Sequence, residues 1–142
     1  MIGVTDVAGL LRSRGQWDAE GSDRARRVAM PDPVSTNPDL YSVVFENDRV
    51  RVLRYHDRPG DRTQPHHHPD SVMITFSDFE RRLHHGERSV DVSLRAGEVR
   101  WLDAQEHFGE NIGGTESVSF FVELKDSPST AADDGVVELG PR

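Results

Sequence analysis

The stretch Gln64–Val72, "QPHHHPDSV", places three of the chain's seven histidines side by side after a proline. In an extended strand, side chains two residues apart project from the same face, roughly 6.5–7 Å apart at Cα. His66 and His68 are therefore expected to converge, and His67 is expected to face the other way. Two imidazoles at this spacing can ligate one divalent ion, but two ligands rarely suffice. A third ligand must come from elsewhere in the fold.

A second histidine stretch, "AQEHFGEN" over residues 104–111, supplies a candidate for that third ligand. His107 stands at the start of a predicted strand, far from His66 and His68 in sequence. Three neutral imidazoles suit a divalent transition metal, and both Fe(II) and Zn(II) are compatible with such a set. The sequence alone does not choose between these two ions.

Between Leu40 and Lys125 the sequence consists of short segments that alternate apolar and polar residues. About eight such segments are separated by turn-prone residues, and no strong helical pattern lies among them. This pattern predicts an all-β fold, and it is typical of antiparallel sandwiches and barrels, small jelly rolls included.

The ends of the chain differ in composition from this region. A chain of 142 residues is long enough for one ordinary domain. We predict that this domain spans residues 34–126, after an N-terminal extension over residues 1–33 and before a flexible acidic tail over residues 127–142. In the extension, Val4–Gly15 has the spacing of one short helix, and the residues after it have the mixed composition of a linker.

The composition excludes several classes of chemistry and partner. The chain has no cysteine, so disulfides, thiolate metal sites and thiol nucleophiles are excluded. A formal net charge of −8 disfavours binding to the phosphate backbone of nucleic acids. There is no apolar run long enough for a membrane span and no secretory signal in the first 30 residues, so a cytoplasmic location is expected, with no membrane partner.

The two histidine stretches together resemble the two conserved motifs of the cupin superfamily, in particular its small single-domain, RmlC-like members. Residues at matching positions are Gly60, His66 and His68 in the first motif, and Gly97, His107 and Asn111 in the second. The resemblance covers roughly residues 41–125. It implies an antiparallel jelly-roll β-barrel with a metal inside and, since cupins often pair through their sheets, a homodimer.

The sequence also departs from the cupin motifs. Val72 and Met73 stand where the family has a glutamate ligand, so the resemblance implies three histidine ligands, as in the thiol and diketone dioxygenases of the superfamily. Asp70 and Ser71 are the nearby alternatives for a fourth ligand. Asp70 is also a candidate catalytic residue in proton transfer, although an aspartate at such a position commonly caps its own turn.

The resulting functional hypothesis is a cupin that binds a divalent metal through His66, His68 and His107 and acts on a small molecule. With Fe(II), oxygenase chemistry is expected; with Zn(II), hydrolysis, isomerisation or lyase chemistry is the alternative. Two further alternatives remain: a non-enzymatic module that binds or senses a small ligand, and a scaffold dimer with a vestigial pocket. No motif identifies the substrate.

Overall fold

The computed structural model describes residues 31–126 and 138–142. The predicted short helix and most of the N-terminal extension lie outside these residues, as does most of the predicted tail. Helix α1 (Pro33–Thr36) is the one helix described. Its N-cap is Asp32, whose carboxylate accepts hydrogen bonds from the backbone N–H groups of Val34 and Ser35. No helix of the described residues has the length and apolar character needed to cross a membrane.

Nine strands follow the helix within residues 31–126. They are β1 (Tyr41–Glu46), β2 (Val50–Asp57), β3 (His66–His68), β4 (Ser71–Thr75), β5 (Phe79–His85), β6 (Arg88–Leu94), β7 (Val99–Leu102), β8 (Gln105–Asn111) and β9 (Ser117–Leu124). Every strand pair is antiparallel. The predicted all-β antiparallel fold is therefore confirmed.

The strands form two sheets, a five-stranded one in the order β1-β2-β9-β4-β7 and a four-stranded one in the order β3-β8-β5-β6. Consecutive strands β3 and β4 lie in different sheets, as do β7 and β8 and then β8 and β9, which is the alternation of a jelly roll. The two sheets are not joined by strand pairing in the described part of the chain. The jelly roll is thus a two-sheet sandwich. The predicted closure of the strands into one barrel is not observed in these residues.

The core lies between the sheets, and it explains why the strands alternate. Along β8 and β9 every second residue is buried, which places one side-chain face of each strand inward. The buried apolar side chains are Tyr41, Leu53, Tyr55, Met73, Phe79, Leu83, Leu94, Leu102 and Phe121. Burying a large side chain of this kind contributes about 1.5–3 kcal/mol, so these residues supply most of the force that holds the two sheets together.

Strand β4 alternates in the same way as β8 and β9. Its burial alternates so that Ser71, Met73 and Thr75 point inward, while Val72 and Ile74 are only partly buried. Met73 therefore contributes to the interior next to the histidines.

The last described residues pack against the edge of the five-stranded sheet. Trp101 in β7 and Arg142 exchange two backbone hydrogen bonds of 2.8 Å each. In addition, the Gln105 side chain contacts the backbone of Glu138 and Gly140. These residues lie within the predicted flexible tail, and they add a short irregular segment beside β7.

Candidate metal centre

The three predicted ligands meet inside the sandwich. In the pairing of β3 with β8, His66 lies directly opposite His107, and His68 lies one inward position further along β3. The three side chains are 1%, 0% and 6% exposed, in the order His66, His68 and His107. One ring nitrogen of each lies within 4.8 Å of the others, so the three could hold one metal ion.

His67 behaves as the strand alternation predicts. Strand β3 is buried at both ends and only partly buried at His67, so this side chain lies on the other face of the strand. The His67 backbone N–H donates to the carbonyl of Pro31. The group of close ligand atoms does not include His67.

Each of the three histidines uses its Nδ1 atom in a hydrogen bond that leaves Nε2 available. His66 Nδ1 lies 2.7 Å from the carbonyl oxygen of Gln64, and His68 Nδ1 lies 3.0 Å from Oε2 of Glu123. His107 Nδ1 lies 2.8 Å from Oε1 of Gln105. A carbonyl and a carboxylate only accept hydrogen bonds, so His66 and His68 carry their proton on Nδ1. Their Nε2 atoms then carry the lone pairs that a metal would use.

The orientation of the Gln105 amide fixes the same tautomer for His107. Gln105 Nε2 donates to the carbonyl oxygens of Asp103 and Glu138, and Oε1 accepts from the backbone N–H of Gly140 at 2.9 Å. The opposite orientation of the amide would place two donors together at Gly140. Oε1 is therefore the atom that faces His107, and it accepts the Nδ1 proton.

Burial keeps two of the imidazoles neutral. Burial is the main cause that lowers the pKa of His66 to about 3, with the neighbouring His68 adding to the shift. Burial also holds the pKa of His107 well below its usual value, and His68 and His66 reinforce the effect. A neutral imidazole is the form that ligates a metal, so protons compete little with a metal for these two residues near neutral pH.

A tyrosine hydroxyl lies close to the Nε2 atoms of two of the histidines. Tyr41 Oη lies 3.3 Å from Nε2 of His66 and 3.4 Å from Nε2 of His68. Burial raises the pKa of Tyr41 well above its usual value, so the group stays a neutral phenol that can donate or accept a hydrogen bond. Tyr41 thus places a polar group where a metal ligand or a bound molecule would lie.

The structure gives Asp70 and Ser71 local partners. Asp70 Oδ1 accepts a hydrogen bond of 2.8 Å from the Ala104 N–H, which ties the β3–β4 turn to the chain before β8. Ser71 Oγ donates to the carbonyl of Pro69. Asp70 is not among the close ligand atoms that gather around His66. The structure therefore brings together the three histidines and leaves Asp70 outside their group.

Sequence reasoning missed the residues that orient the histidines. Glu123 is 2% exposed, and its carboxylate also pairs with Arg51, which pairs in turn with Asp32. One signal for Glu123 is present in the sequence, because the alternation of β9 places this carboxylate on the inward face. Gln105 and Tyr41 belong to no motif that would mark them as partners of the histidines.

These features define a class of protein, a jelly roll with a His-x-His strand and a later histidine turned toward one interior point. A cupin domain from Bordetella pertussis Tohama I is 30% identical to this chain, with a TM-score of 0.57, and the match covers 61% of this chain and 92% of that one. The chain accordingly belongs to the cupin superfamily. An RmlC-like cupin with a double-stranded β-helix fold from Methanocaldococcus jannaschii shares the fold at 13% identity and a TM-score of 0.50, over 60% of this chain and 78% of that one. No protein-family model and no curated protein sequence matches the chain.

Proposed function

We propose that this cupin binds a divalent metal through the Nε2 atoms of His66, His68 and His107 and uses it in oxygenase chemistry on a small molecule, with Fe(II) as the metal. The observation that carries the proposal is the hydrogen bonding of the three Nδ1 atoms. In a metal site, hydrogen bonds to Nδ1 fix the tautomer that leaves Nε2 for the metal. They also orient the rings and raise their basicity as ligands.

The surroundings of the three histidines fit this proposal. An imidazole binds a metal in its neutral form, so an ion held by three histidines keeps its positive charge for an anionic substrate atom. A bound Fe(II) would supply open coordination positions for a substrate and dioxygen. The Tyr41 hydroxyl is within hydrogen-bond reach of a molecule at these positions and can hold it in one orientation. The buried apolar walls exclude water from the reacting groups.

Metal content tests the first part of the proposal. The chelator-treated full chain is reconstituted separately with Fe(II), Zn(II), Ni(II) and Mn(II), and bound metal is measured by mass spectrometry. We expect about one ion per chain and a loss of binding in the His66→Ala and His107→Ala variants. His67→Ala is the matched control, because His67 adjoins both ligands on the other face of β3. Protein that stays metal-free with all four ions contradicts the proposal and favours a non-enzymatic ligand-binding module.

Oxygen uptake tests the second part. The Fe(II)-loaded chain is assayed against thiols, diketones and catechols, and uptake that depends on both Fe(II) and a substrate supports an oxygenase. A chain that binds metal but consumes no oxygen with any of these compounds contradicts the oxygenase assignment. In that case Zn(II)-dependent isomerase or lyase chemistry becomes the better explanation of the same three ligands.

A further inference from the structure

A buried arginine lies in the same interior as the three histidines. It makes none of the hydrogen bonds that hold their Nδ1 atoms. Arg81, in β5, is 5% exposed, and it lines a small, partly open cavity together with His107, Tyr41, Phe121 and Pro141. Its guanidinium carbon lies 4.8 Å from the centre of the Tyr55 ring, so one face of the group stacks on an aromatic side chain. A charged group placed this deep requires partners for its charge and for its N–H donors.

The hydrogen bonds of Arg81 are incomplete. Within residues 31–126 and 138–142, its guanidinium donates one hydrogen bond, from Nη1 to Oδ2 of Asp57 at 2.7 Å. A guanidinium carries several further N–H donors. The exposed neighbour Arg82 makes fuller use of its group, since Nε and Nη2 both donate to the carboxylate of Asp91. The more deeply buried of these two arginines thus has the fewer partners.

Asp57 does not need Arg81 for its own hydrogen bonding. Its Oδ1 accepts from Asn111 and Ser117, and its Oδ2 accepts from Tyr55 as well as from Arg81. A carboxylate with three neutral donors is already well solvated by the protein. The remaining N–H donors of Arg81 are not among the buried atoms without a partner, so they retain access to open space and are available to a ligand.

The position of Arg81 relative to the histidines follows from the strand register. Gly109 is the next inward position after His107 on β8, roughly 6.5–7 Å away at Cα. A Cβ atom added to Gly109 would lie 2.8 Å from Nε of Arg81, so the guanidinium fills the space that the glycine leaves. The backbone of Arg81 lies opposite Asn111, and its guanidinium reaches back to Gly109, about one inward position from His107.

We propose that Arg81 binds the carboxylate of a short bifunctional acid whose other polar group lies at the three histidines. A guanidinium can donate two parallel hydrogen bonds to the two oxygens of a carboxylate. Arg81 donates to Asp57 through Nη1, so its other N–H groups can form such a pair. The placement of the second polar group rests on the proposed function, whereas the binding of an anion by Arg81 does not.

The size of the cavity limits the ligand. Its volume is about 20 Å³, which is room for a group about as large as one water molecule. Pro141 forms part of the wall and belongs to the segment Glu138–Arg142 beside β7. A bifunctional acid exceeds this volume, so its binding requires the walls of the cavity, this segment among them, to move outward.

Calorimetric titration of the Zn(II)-loaded full chain with glycolate tests the proposal, with the uncharged glycolamide and inorganic phosphate as comparison ligands. We expect glycolate to bind more tightly than either and its affinity to fall about 10- to 100-fold in Arg81→Met, the effect of losing a charged hydrogen-bond partner. Arg82→Met, on the exposed face of the same strand, is the matched control and should bind glycolate like the wild type.

Removing Arg81 leaves Asp57 as a buried charge, so the double variant Asp57→Asn/Arg81→Met is measured beside it. Thermal unfolding and zinc content show whether each variant is folded and loaded. A folded variant lacking Arg81 that binds glycolate as tightly as the wild type overturns the proposal, as does a wild type that prefers glycolamide or phosphate. If the chain takes up no metal, the proposed function fails, and the metal-free titration decides separately: glycolate binding that disappears with Arg81 supports the anion site, and no binding overturns it.

Discussion

At the scale of single residues, the three histidines differ in the group that holds each Nδ1 atom. His66 uses a backbone carbonyl, His107 uses an amide oxygen and His68 uses the carboxylate of Glu123. A carboxylate partner raises the basicity of a ligating imidazole more than a neutral acceptor does, since its negative charge favours the proton on Nδ1. His68 is therefore expected to be the strongest donor to a metal among the three.

Replacing Glu123 tests this difference. In Glu123→Ala the Nδ1 group of His68 loses its acceptor, and we expect metal affinity to fall about 10- to 100-fold, the usual cost of losing such a partner. Glu116→Ala is the control, because Glu116 pairs with His56 at the surface. Affinity is measured by competition with a chelator of known strength. An unchanged affinity in Glu123→Ala would show that the carboxylate serves only its ion pair with Arg51.

The buried histidines also predict how the stability of the metal-free protein depends on pH. An unfolded histidine has a pKa near 6.5, whereas burial lowers the pKa of His66 to about 3 in the folded state. Between these values the unfolded chain binds a proton that the folded chain does not. The stability is therefore fully present above pH 6.5 and is lost as the pH falls toward 3.

We accordingly expect urea unfolding of the metal-free chain to show a steeper loss of stability between pH 6 and 4 than the His66→Gln variant shows. The difference in slope should be about 1 kcal/mol per pH unit, since each unit of pKa shift is worth about that much. Parallel slopes for the two proteins would contradict the neutral state of His66.

The residues that bear chemistry differ in how far the sequence could predict them. His66, His68 and His107 were identified because period-two alternation and two motifs pointed to the same residues. Tyr41 could not be identified, because its contact with the histidines depends on how β1 and β3 approach each other across the sandwich. Arg81 was missed for a related reason: an arginine in a strand is usually exposed, and only the tertiary structure shows that this one is buried.

At the scale of elements, the strands were predictable and their pairing was less so. The alternation of apolar and polar residues indicated about eight strands. The pairing that sets His66 opposite His107 depends on register, which inward burial decides only after the sheets have formed. The sequence also could not predict that the two sheets stay separate. Whether a jelly roll closes depends on hydrogen bonds between strands at the sheet edges.

The segment Glu138–Arg142 gives a prediction at this scale. Through Glu138 and Gly140 it holds Gln105, which in turn orients His107. Deleting residues 138–142 removes these contacts and the backbone pairing with Trp101. We expect a chelator to remove metal from the truncated chain about 10-fold faster than from the full chain.

The variant Arg142→Ala is the control for this deletion. It removes the ion pair between Arg142 and Asp103 but keeps the backbone contacts with Gln105 and Trp101. Metal release from Arg142→Ala should match that of the full chain. Equal rates for the truncated and full chains would show that Gln105 keeps its orientation without the segment.

At the scale of the whole molecule, the edge strand β1 carries apolar side chains that the sandwich does not cover. Val43, Val44 and Phe45 are 42%, 47% and 54% exposed, and after Tyr41 every residue of the strand is exposed. Among the described strands β1 pairs with β2 alone, and an edge strand with apolar side chains favours pairing with another strand. A second copy of the chain, related by a two-fold axis, would cover the same residues on both partners.

We therefore predict a homodimer that pairs through β1. Sedimentation velocity of the full chain should give the mass of two chains, and Val44→Lys combined with Phe45→Lys should shift the protein to one chain, because two buried charges per subunit disfavour the interface. Val99→Lys is the matched control, since Val99 is 63% exposed on β7 at the opposite edge of the same sheet. Dissociation by Val99→Lys but not by the β1 variant would move the interface to β7. A wild type that sediments as one chain at micromolar concentration would exclude a stable dimer, and the histidines, Tyr41 and Arg81 would then form a site complete within a single subunit.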